Sequence, residues 1–258
     1  MIADGKVDIV FATPSYEQKV GLEYHRGMLE TQHLLSSAGY VSSFMHRPGD
    51  CFVDKARSKQ VTDFLQDPLA KDAQNFMFID DDVGGWPAQK ILEFIVRPDD
   101  ILAGVYPRKA DALDWPVELA SDADTGLLVE DQGLVAALFA PTGFMRIKRH
   151  VLEHFARTAP MFKDFDLIDG KNVERSYHHV FESGRHDDGW YWGEDFTFCA
   201  QARAAGFQIW IDPNIPFSHR GTKKWEASLS DSLLTYRRKA MALHEKMQDD
   251  AKAKEAAE

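Results

Sequence analysis

The sequence predicts an α/β fold in which helices flank a mostly parallel sheet, a Rossmann-type three-layer sandwich. Apolar runs at residues 7–13, 76–80 and 101–106 have the length and continuous hydrophobicity of buried strands. Segments with helical periodicity separate these runs. Strands that alternate with helices form βαβ units with parallel strands, and ligands then bind beyond the carboxyl ends of those strands.

The first half of the chain shows this alternation most clearly. Residues 20–38 have apolar side chains at three- and four-residue steps, which predicts a helix, and Gly39 stands where a glycine ends one. Residues 41–46 predict a second strand. Residues 53–65 and 87–96 predict two further helices.

The second half is less regular. We predict a hairpin at residues 127–129 and 134–139, a helix at residues 147–156, and a long loop or lid at residues 163–191. A second helix is predicted at residues 194–205 and a strand at residues 207–211. Residues 1–229 are expected to form a single domain. Residues 230–258 are expected to form a C-terminal helix that frays from Asp249 into a mobile tail.

Composition narrows the range of functions. The chain has 258 residues with 44% hydrophobic content, enough for one domain with a large core. Its net charge of −11 disfavours a broad nucleic-acid-binding surface, which needs clustered Lys and Arg. No apolar run approaches the roughly 18 residues that span a bilayer. The two cysteines form no disulfide framework, so we expect a cytoplasmic protein.

An acidic triplet, Asp80, Asp81 and Asp82, directly follows the predicted strand at residues 76–80. Three adjacent carboxylates repel one another, and a dication relieves that repulsion. Mg²⁺ and Mn²⁺ prefer oxygen ligands and are commonly held by one or two carboxylates plus substrate phosphates. Because side chains alternate along an extended segment, Asp80 and Asp82 can converge on one ion. The alternative is a solvated acidic turn.

The segment FMFIDDDV resembles the DxD motif of glycosyltransferases with the GT-A fold. The resemblance continues through ILAGVYPR, TGFMRIKRH and WGEDFTFCAQARAAGFQIWIDPNIPFSHRG, in the order found in inverting bacterial and phage-type members. It implies a GT-A-like catalytic domain over residues 1–229. It also implies transfer of a sugar from a nucleotide-sugar donor, with UDP the commonest nucleotide, to an acceptor hydroxyl with inversion.

The resemblance assigns roles to two further groups. In the block Gly193, Glu194 and Asp195, hereafter the Gly-Glu-Asp block, it implies that Asp195 is the general base, with Glu194 as the alternative. Acidic residues also favour the first turn of a helix for reasons of the helix dipole alone. His219 matches a position that supplies a further ligand to Mn²⁺ or Mg²⁺, beside Asp80 and Asp82.

The donor is expected near the ends of the first strands. Thr13, Pro14 and Tyr16 follow the first strand, where this fold receives the base and ribose, and Asp80 and Asp81 are expected to contribute as well. The segment that contains Asp54 and Arg57 resembles a helix that faces the same site in these enzymes. Arg57 either contacts the diphosphate, braces the triplet, or forms a surface ion pair with Asp54.

Aromatic side chains that stack on sugars predict the acceptor side at Trp190, Tyr191 and Trp192. The acceptor itself stays open among a saccharide, a lipid-linked group, a protein and a modified DNA base. Two other functions compete with glycosyl transfer. A nucleotidyltransferase uses similar aspartates but needs a Gly-rich phosphate loop, which ATPSYEQKVG does not provide. A non-catalytic carbohydrate-binding protein would need no remote Glu-Asp pair.

Overall fold

The computed structural model describes residues 6–187 and 189–255. Within them the strands are β1 (Ile9–Ser15), β2 (Ser42–Pro48), β3 (Asn75–Ile79), β4 (Val83–Gly84), β5 (Ile101–Gly104), β6 (Glu118–Leu119), β7 (Glu130–Asp131), β8 (Leu134–Phe139), β9 (Phe144–Lys148), β10 (Met161–Ile168), β11 (Lys171–His178), β12 (Gly184–Arg185), β13 (Tyr191–Trp192), β14 (Ile209–Asp212), β15 (Phe217–Arg220) and β16 (Lys224–Ala227). The helices are α1 (Leu22–Ser37), α2 (Val53–Gln66), α3 (Ala88–Val96), α4 (Arg149–Thr158), α5 (Glu194–Ala204) and α6 (Ser230–Glu255).

A nine-stranded sheet forms the middle layer, in the order β2-β1-β3-β9-β5-β14-β8-β6, with β7 paired to β8. The pairs β1–β2, β1–β3 and β5–β14 are parallel, whereas β9 and β8 are antiparallel to their neighbours. All the other strands of this sheet therefore run in one direction. The mostly parallel sheet predicted from the sequence is confirmed.

Helices cover both faces of the sheet because alternate side chains of the buried strands point to opposite faces. On β1, Ile9 and Phe11 join the core beneath α1 and α3, while Val10 and Ala12 join the core beneath α2, α4 and α5. Strand β3 divides in the same way. This is the GT-A-like, Rossmann-type three-layer sandwich that the sequence predicts.

The last two residues of strand β9 were predicted as part of a helix. Residues 147–156 were expected to be helical, but residues up to Lys148 belong to β9, and α4 begins at Arg149. Residues 144–147 are all buried, and a short buried run looks alike in a strand and a helix. Arg146 is tolerated there because its Nε donates to the carbonyl oxygen of Phe94 at 3.1 Å.

The region predicted as one long loop or lid, residues 163–191, instead contains two hairpins, β10–β11 and β12–β13. The β10–β11 turn is Asp169-Gly170, with φ of 51° and 74°. Positive φ at both central residues matches a type I′ turn, for which Asp-Gly is a strong signal. Ion pairs from Asp166 to Arg47 and Lys59 attach this hairpin to β2 and α2.

The C-terminal helix is also longer than predicted. Helix α6 continues through Glu255, past Asp249, where fraying was expected; residues 256–258 of the predicted tail lie outside the described part of the chain. Leu233 packs into the core beneath α2, and Arg237 pairs with Glu130. In residues 6–187 and 189–255 no helix has the length and apolar content needed to cross a bilayer.

Candidate active site

The acidic triplet lies at the carboxyl end of β3 and lines a cleft of about 930 Å³. Backbone hydrogen bonds hold it from three sides. The Asp80 N–H donates to the Gly143 carbonyl at 2.9 Å, while the Asp81 and Asp82 carbonyls accept from Gly21 at 2.7 Å and Arg220 at 2.9 Å. With the backbone held in this way, the three carboxylates are presented to the cleft.

Arg57 connects the triplet to the Gly-Glu-Asp block. Its Nη2 donates to both carboxylate oxygens of Asp80, at 2.9 and 3.0 Å, and its Nε donates to Glu194 Oε1 at 3.2 Å. The Arg57 side chain is only 2% exposed, and its guanidinium stacks over the Phe78 ring. The predicted alternative, a surface pair with Asp54, is wrong because α2 turns Arg57 toward the sheet.

Asp82 lies between two basic side chains. His219 Nε2 is 3.5 Å from Asp82 Oδ1, and the Lys109 ammonium contacts Asp82 Oδ2. His219 reaches this place because β15 pairs with β4 and sets His219 opposite Val83. Its Nδ1 lies 2.8 Å from the Pro107 carbonyl, an acceptor, so Nδ1 carries the hydrogen of the neutral ring. The other ring nitrogen, Nε2, therefore faces Asp82.

The three aspartates differ in proton affinity. Burial raises the pKa of Asp80 despite its partner Arg57, and burial likewise raises the pKa of Asp81. Burial acts in the same sense on Asp82, but the neighbouring basic side chains of His219 and Lys109 outweigh it and lower the pKa. Asp82 is thus the member of the triplet that most readily carries a negative charge.

The proton affinity of Asp195 is raised in the folded protein. Burial, followed by repulsion from Glu194, raises the pKa of Asp195 to about 6. A base is most effective when its pKa lies near the working pH. Glu194 differs from Asp195 because its carboxylate is bound by Arg57. Asp195 accepts a local hydrogen bond, from the Phe196 N–H at 2.8 Å.

The residues fit a dication that is shared with a substrate. Nowhere in the described ranges do three or more His, Cys, Asp or Glu side chains form a complete metal cage. Asp82 and His219 offer an oxygen and a nitrogen ligand that lie 3.5 Å apart, and the neighbouring Asp80 has both carboxylate oxygens bonded to Arg57. Mg²⁺ is normally held by one or two carboxylates and completed by substrate phosphates.

The predicted donor residues divide into two groups. Pro14, Tyr16 and Asp81 line the cleft. Thr13 lies beneath it, fully buried, where it accepts from the Tyr24 hydroxyl at 2.6 Å and donates to the Ile79 carbonyl at 2.8 Å. Asp54 is outside the cleft lining, and its Oδ1 accepts the N–H of its neighbour Lys55. Thr13 therefore packs beneath the cleft, and Asp54 bonds to its own helix outside the cleft lining.

The predicted acceptor aromatics precede the Gly-Glu-Asp block but do not line the cleft itself. Trp190 and Tyr191 are each 74% exposed. The Trp192 ring stacks on His186 with centroids 4.1 Å apart and meets Phe139 edge-on. The structure thus places two large aromatic surfaces in solvent within five residues of Asp195.

The segment after β5 holds three site residues that the sequence did not single out. Tyr106 packs edge-on against His219, Pro107 orients that imidazole, and Lys109 contacts Asp82. The available signal was topological: β3 and β5 run in the same direction, so the residues that follow them meet at one edge of the sheet.

Gly143 is a further site residue that the sequence did not single out. A Cβ at this position would collide with the Tyr106 hydroxyl and the Asp80 carboxylate. We expect Gly143→Ala to lower the free energy of unfolding by about 1–3 kcal/mol, the usual cost of overpacking. The matched control is Gly184→Ala, since a Cβ at Gly184 meets nothing within 4 Å. Urea denaturation measures both, and equal stabilities would contradict the prediction.

Comparison with known proteins supports the fold. No protein-family model and no curated protein matches the chain. Its structure is similar to that of A197 from STIV, with 17% identity, coverage of 87% of this chain and 91% of that chain, and a TM-score of 0.50. Partial similarity extends to a glycosyltransferase involved in the glycosylation of the major capsid of PBCV-1 (13% identity, 57% and 62% coverage, TM-score 0.33) and to HddC from Yersinia pseudotuberculosis (13%, 59% and 61%, 0.27).

Proposed function

We propose that this chain is a dication-dependent glycosyltransferase that moves a sugar from a nucleotide-sugar donor to an acceptor hydroxyl. The observation that carries the proposal is the buried Arg57 bridge between Asp80 and Glu194. It ties the carboxylates suited to a metal and diphosphate to Glu194, the neighbour of Asp195, which is the carboxylate suited to proton abstraction. Glycosyl transfer by direct displacement requires both functions.

Asp82 and His219, with Asp80, would hold Mn²⁺ or Mg²⁺ together with the donor diphosphate. When bound, the dication neutralises negative charge on the departing nucleoside diphosphate. The His219 tautomer supports this assignment, because metal-binding imidazoles commonly donate their other N–H to a backbone carbonyl, as His219 does to Pro107. Arg57 keeps Asp80 in place through two hydrogen bonds to its carboxylate.

In the proposed reaction the acceptor hydroxyl oxygen attacks the anomeric carbon of the donor sugar. Asp195 takes the hydroxyl proton as the new carbon–oxygen bond forms. The bond from the anomeric carbon to the diphosphate oxygen breaks on the opposite face, which inverts the configuration. A pKa of about 6 leaves Asp195 mostly ionised at neutral pH and still able to accept a proton.

The donor nucleotide is proposed to lie along Pro14, Tyr16 and Asp81 in the cleft. A UDP-sugar is our first choice, by analogy with glycosyltransferases in general. Trp190 and Tyr191 offer exposed aromatic faces on which an acceptor sugar would stack. A saccharide acceptor suits these faces and the net charge of −11 better than DNA, and lipid-linked and protein acceptors remain candidates.

The proposal is tested by screening UDP-, GDP- and dTDP-sugars for thermal stabilisation that depends on Mn²⁺, followed by assay of nucleoside diphosphate release. A glycosyltransferase releases the nucleoside diphosphate. A nucleotidyltransferase would instead join a nucleoside triphosphate to a sugar phosphate and release pyrophosphate. A carbohydrate-binding protein would be stabilised by glycans and release neither product.

Asp82→Asn is expected to abolish the Mn²⁺-dependent stabilisation by the donor. Loss of a residue that only supports a metal ligand lowers affinity about 10–100-fold, so loss of a ligand lowers it by about 100-fold or more. The control is Asp111→Asn, which removes an exposed carboxylate paired with Lys223. A normal manganese-dependent shift in Asp82→Asn would remove Asp82 from the metal site.

A further inference from the structure

Lys109 is set into the site by its side-chain stem as well as by its charge. It follows β5, and its stem lies so close to Gly221 that a Cβ on Gly221 would be 3.1 Å from Lys109 Cδ. The ammonium contacts Asp82 Oδ2, on the same carboxylate whose other oxygen faces His219. The Lys109 side chain is 37% exposed and lines the cleft.

The cations that line the cleft have different partners. Lys19 pairs with Glu17, and Arg220 forms two hydrogen bonds with Glu23. Among the described residues of the cleft wall, Lys109 is the cation whose ion-pair partner belongs to the acidic triplet. A lysine ammonium is a compact charge on a flexible stem, so it can change partners without moving the backbone.

We propose that Lys109 is an exchangeable counter-ion of the active site. It neutralises Asp82 while the cleft is empty. When a dication takes Asp82, the ammonium turns to the donor diphosphate and neutralises it there. This inference rests on the proposed function. It adds that Lys109 makes the binding of the dication and the binding of the diphosphate depend on each other.

The exchange has opposite consequences for the two ligands. Lys109 competes with a dication for Asp82, so it weakens dication binding when no diphosphate is present. Once both ligands are bound, Lys109 attracts the diphosphate and strengthens its binding. Such coupling is reciprocal, so the gain that each ligand gives the other falls when the ammonium is removed. If Lys109 only maintained the fold, its removal would weaken the binding of both ligands.

The test measures Mn²⁺ binding by electron paramagnetic resonance, without and with inorganic pyrophosphate as the diphosphate probe. We expect Lys109→Met to bind Mn²⁺ alone about fivefold more tightly, the upper range for a partly exposed ion pair. We expect it to bind pyrophosphate at saturating Mn²⁺ about tenfold more weakly, within the usual range of coupling between two sites. All variants are compared at identical concentrations, since the two probes also associate in solution.

Two further variants complete the design. Lys223→Met removes an exposed lysine that pairs with Asp111, and it should match the wild type in both measurements. Lys109→Arg keeps the charge and should restore pyrophosphate binding. Thermal denaturation shows that each variant is folded.

The outcomes separate this inference from the proposed function. If the wild type binds neither Mn²⁺ nor pyrophosphate, the proposed function fails and the role of Lys109 fails with it. If the wild type binds both and Lys109→Met behaves like Lys223→Met, or weakens Mn²⁺ binding in the absence of pyrophosphate, only the role of Lys109 is overturned.

Discussion

Asp195→Asn is expected to retain donor binding but to lose sugar transfer by about 10²–10⁴-fold, the usual contribution of a general base. The amide has nearly the same shape as the carboxylate but cannot accept the acceptor proton at neutral pH. The measurement pairs nucleoside diphosphate release with Mn²⁺-dependent thermal stabilisation by the donor. The rate of nucleoside diphosphate release should fall by that factor, while the thermal stabilisation should stay near the wild-type value.

Glu194→Gln is the matched control, since it removes the neighbouring carboxylate and leaves Asp195 in place. It should lower transfer less, through the weakened contact with Arg57. If Glu194→Gln abolished transfer and Asp195→Asn did not, the base would be Glu194.

The pH dependence of the wild type gives a second check on Asp195. Transfer needs the ionised carboxylate, so kcat/KM should rise as pH increases through about 6 and then level off. The contribution of Asp195 to the free energy of unfolding should show the opposite trend. Because the folded-state pKa lies above the ordinary value of 3.8, ionisation costs stability as pH rises from about 4 to 6. Asp195→Asn should therefore be more stable than the wild type above pH 6, and this advantage should vanish toward pH 4.

Arg57→Met is expected to lower the free energy of unfolding by about 3–5 kcal/mol, the usual result of removing one partner from a buried ion pair. Arg57 is 2% exposed and serves two carboxylates, whose side chains are 23% and 13% exposed for Asp80 and Glu194 respectively. Methionine fills similar space but leaves those charges uncompensated. Urea denaturation at pH 7 measures the loss, which should shrink on acidification because protonation of Asp80 removes the repulsion.

The control for this prediction is Arg237→Met. Arg237 makes a comparable two-bonded pair with Glu130, at 2.8 and 2.9 Å, but it lies on the surface of α6. Exposed pairs contribute about 0–1 kcal/mol. Equal losses in the two variants would mean that the Arg57 bridge does not organise the site.

Periodicity identified the elements of the first half of the chain because each of them has one simple pattern. Strand β3 is buried throughout, and β1 is buried over residues 9–13. Helix α1 is followed by Gly39 in a positive-φ conformation, as the sequence predicts. Strand β9 and the β10–β11 hairpin were missed for different reasons. The first is a short buried run next to a helix, and the second carries charged side chains in a region without a clean apolar alternation.

The amino-acid sequence by itself determined the alternation of strands and helices, the acidic triplet at a strand end, and the Gly-Glu-Asp block at a helix start. These are local features, set by hydrophobic period and by residue type within a few positions. Only the tertiary structure decided that Arg57 bridges Asp80 and Glu194, that His219 faces Asp82, and that Lys109 occupies the same carboxylate. These contacts join residues that are 23 to 137 positions apart, and strand order and helix packing bring them together.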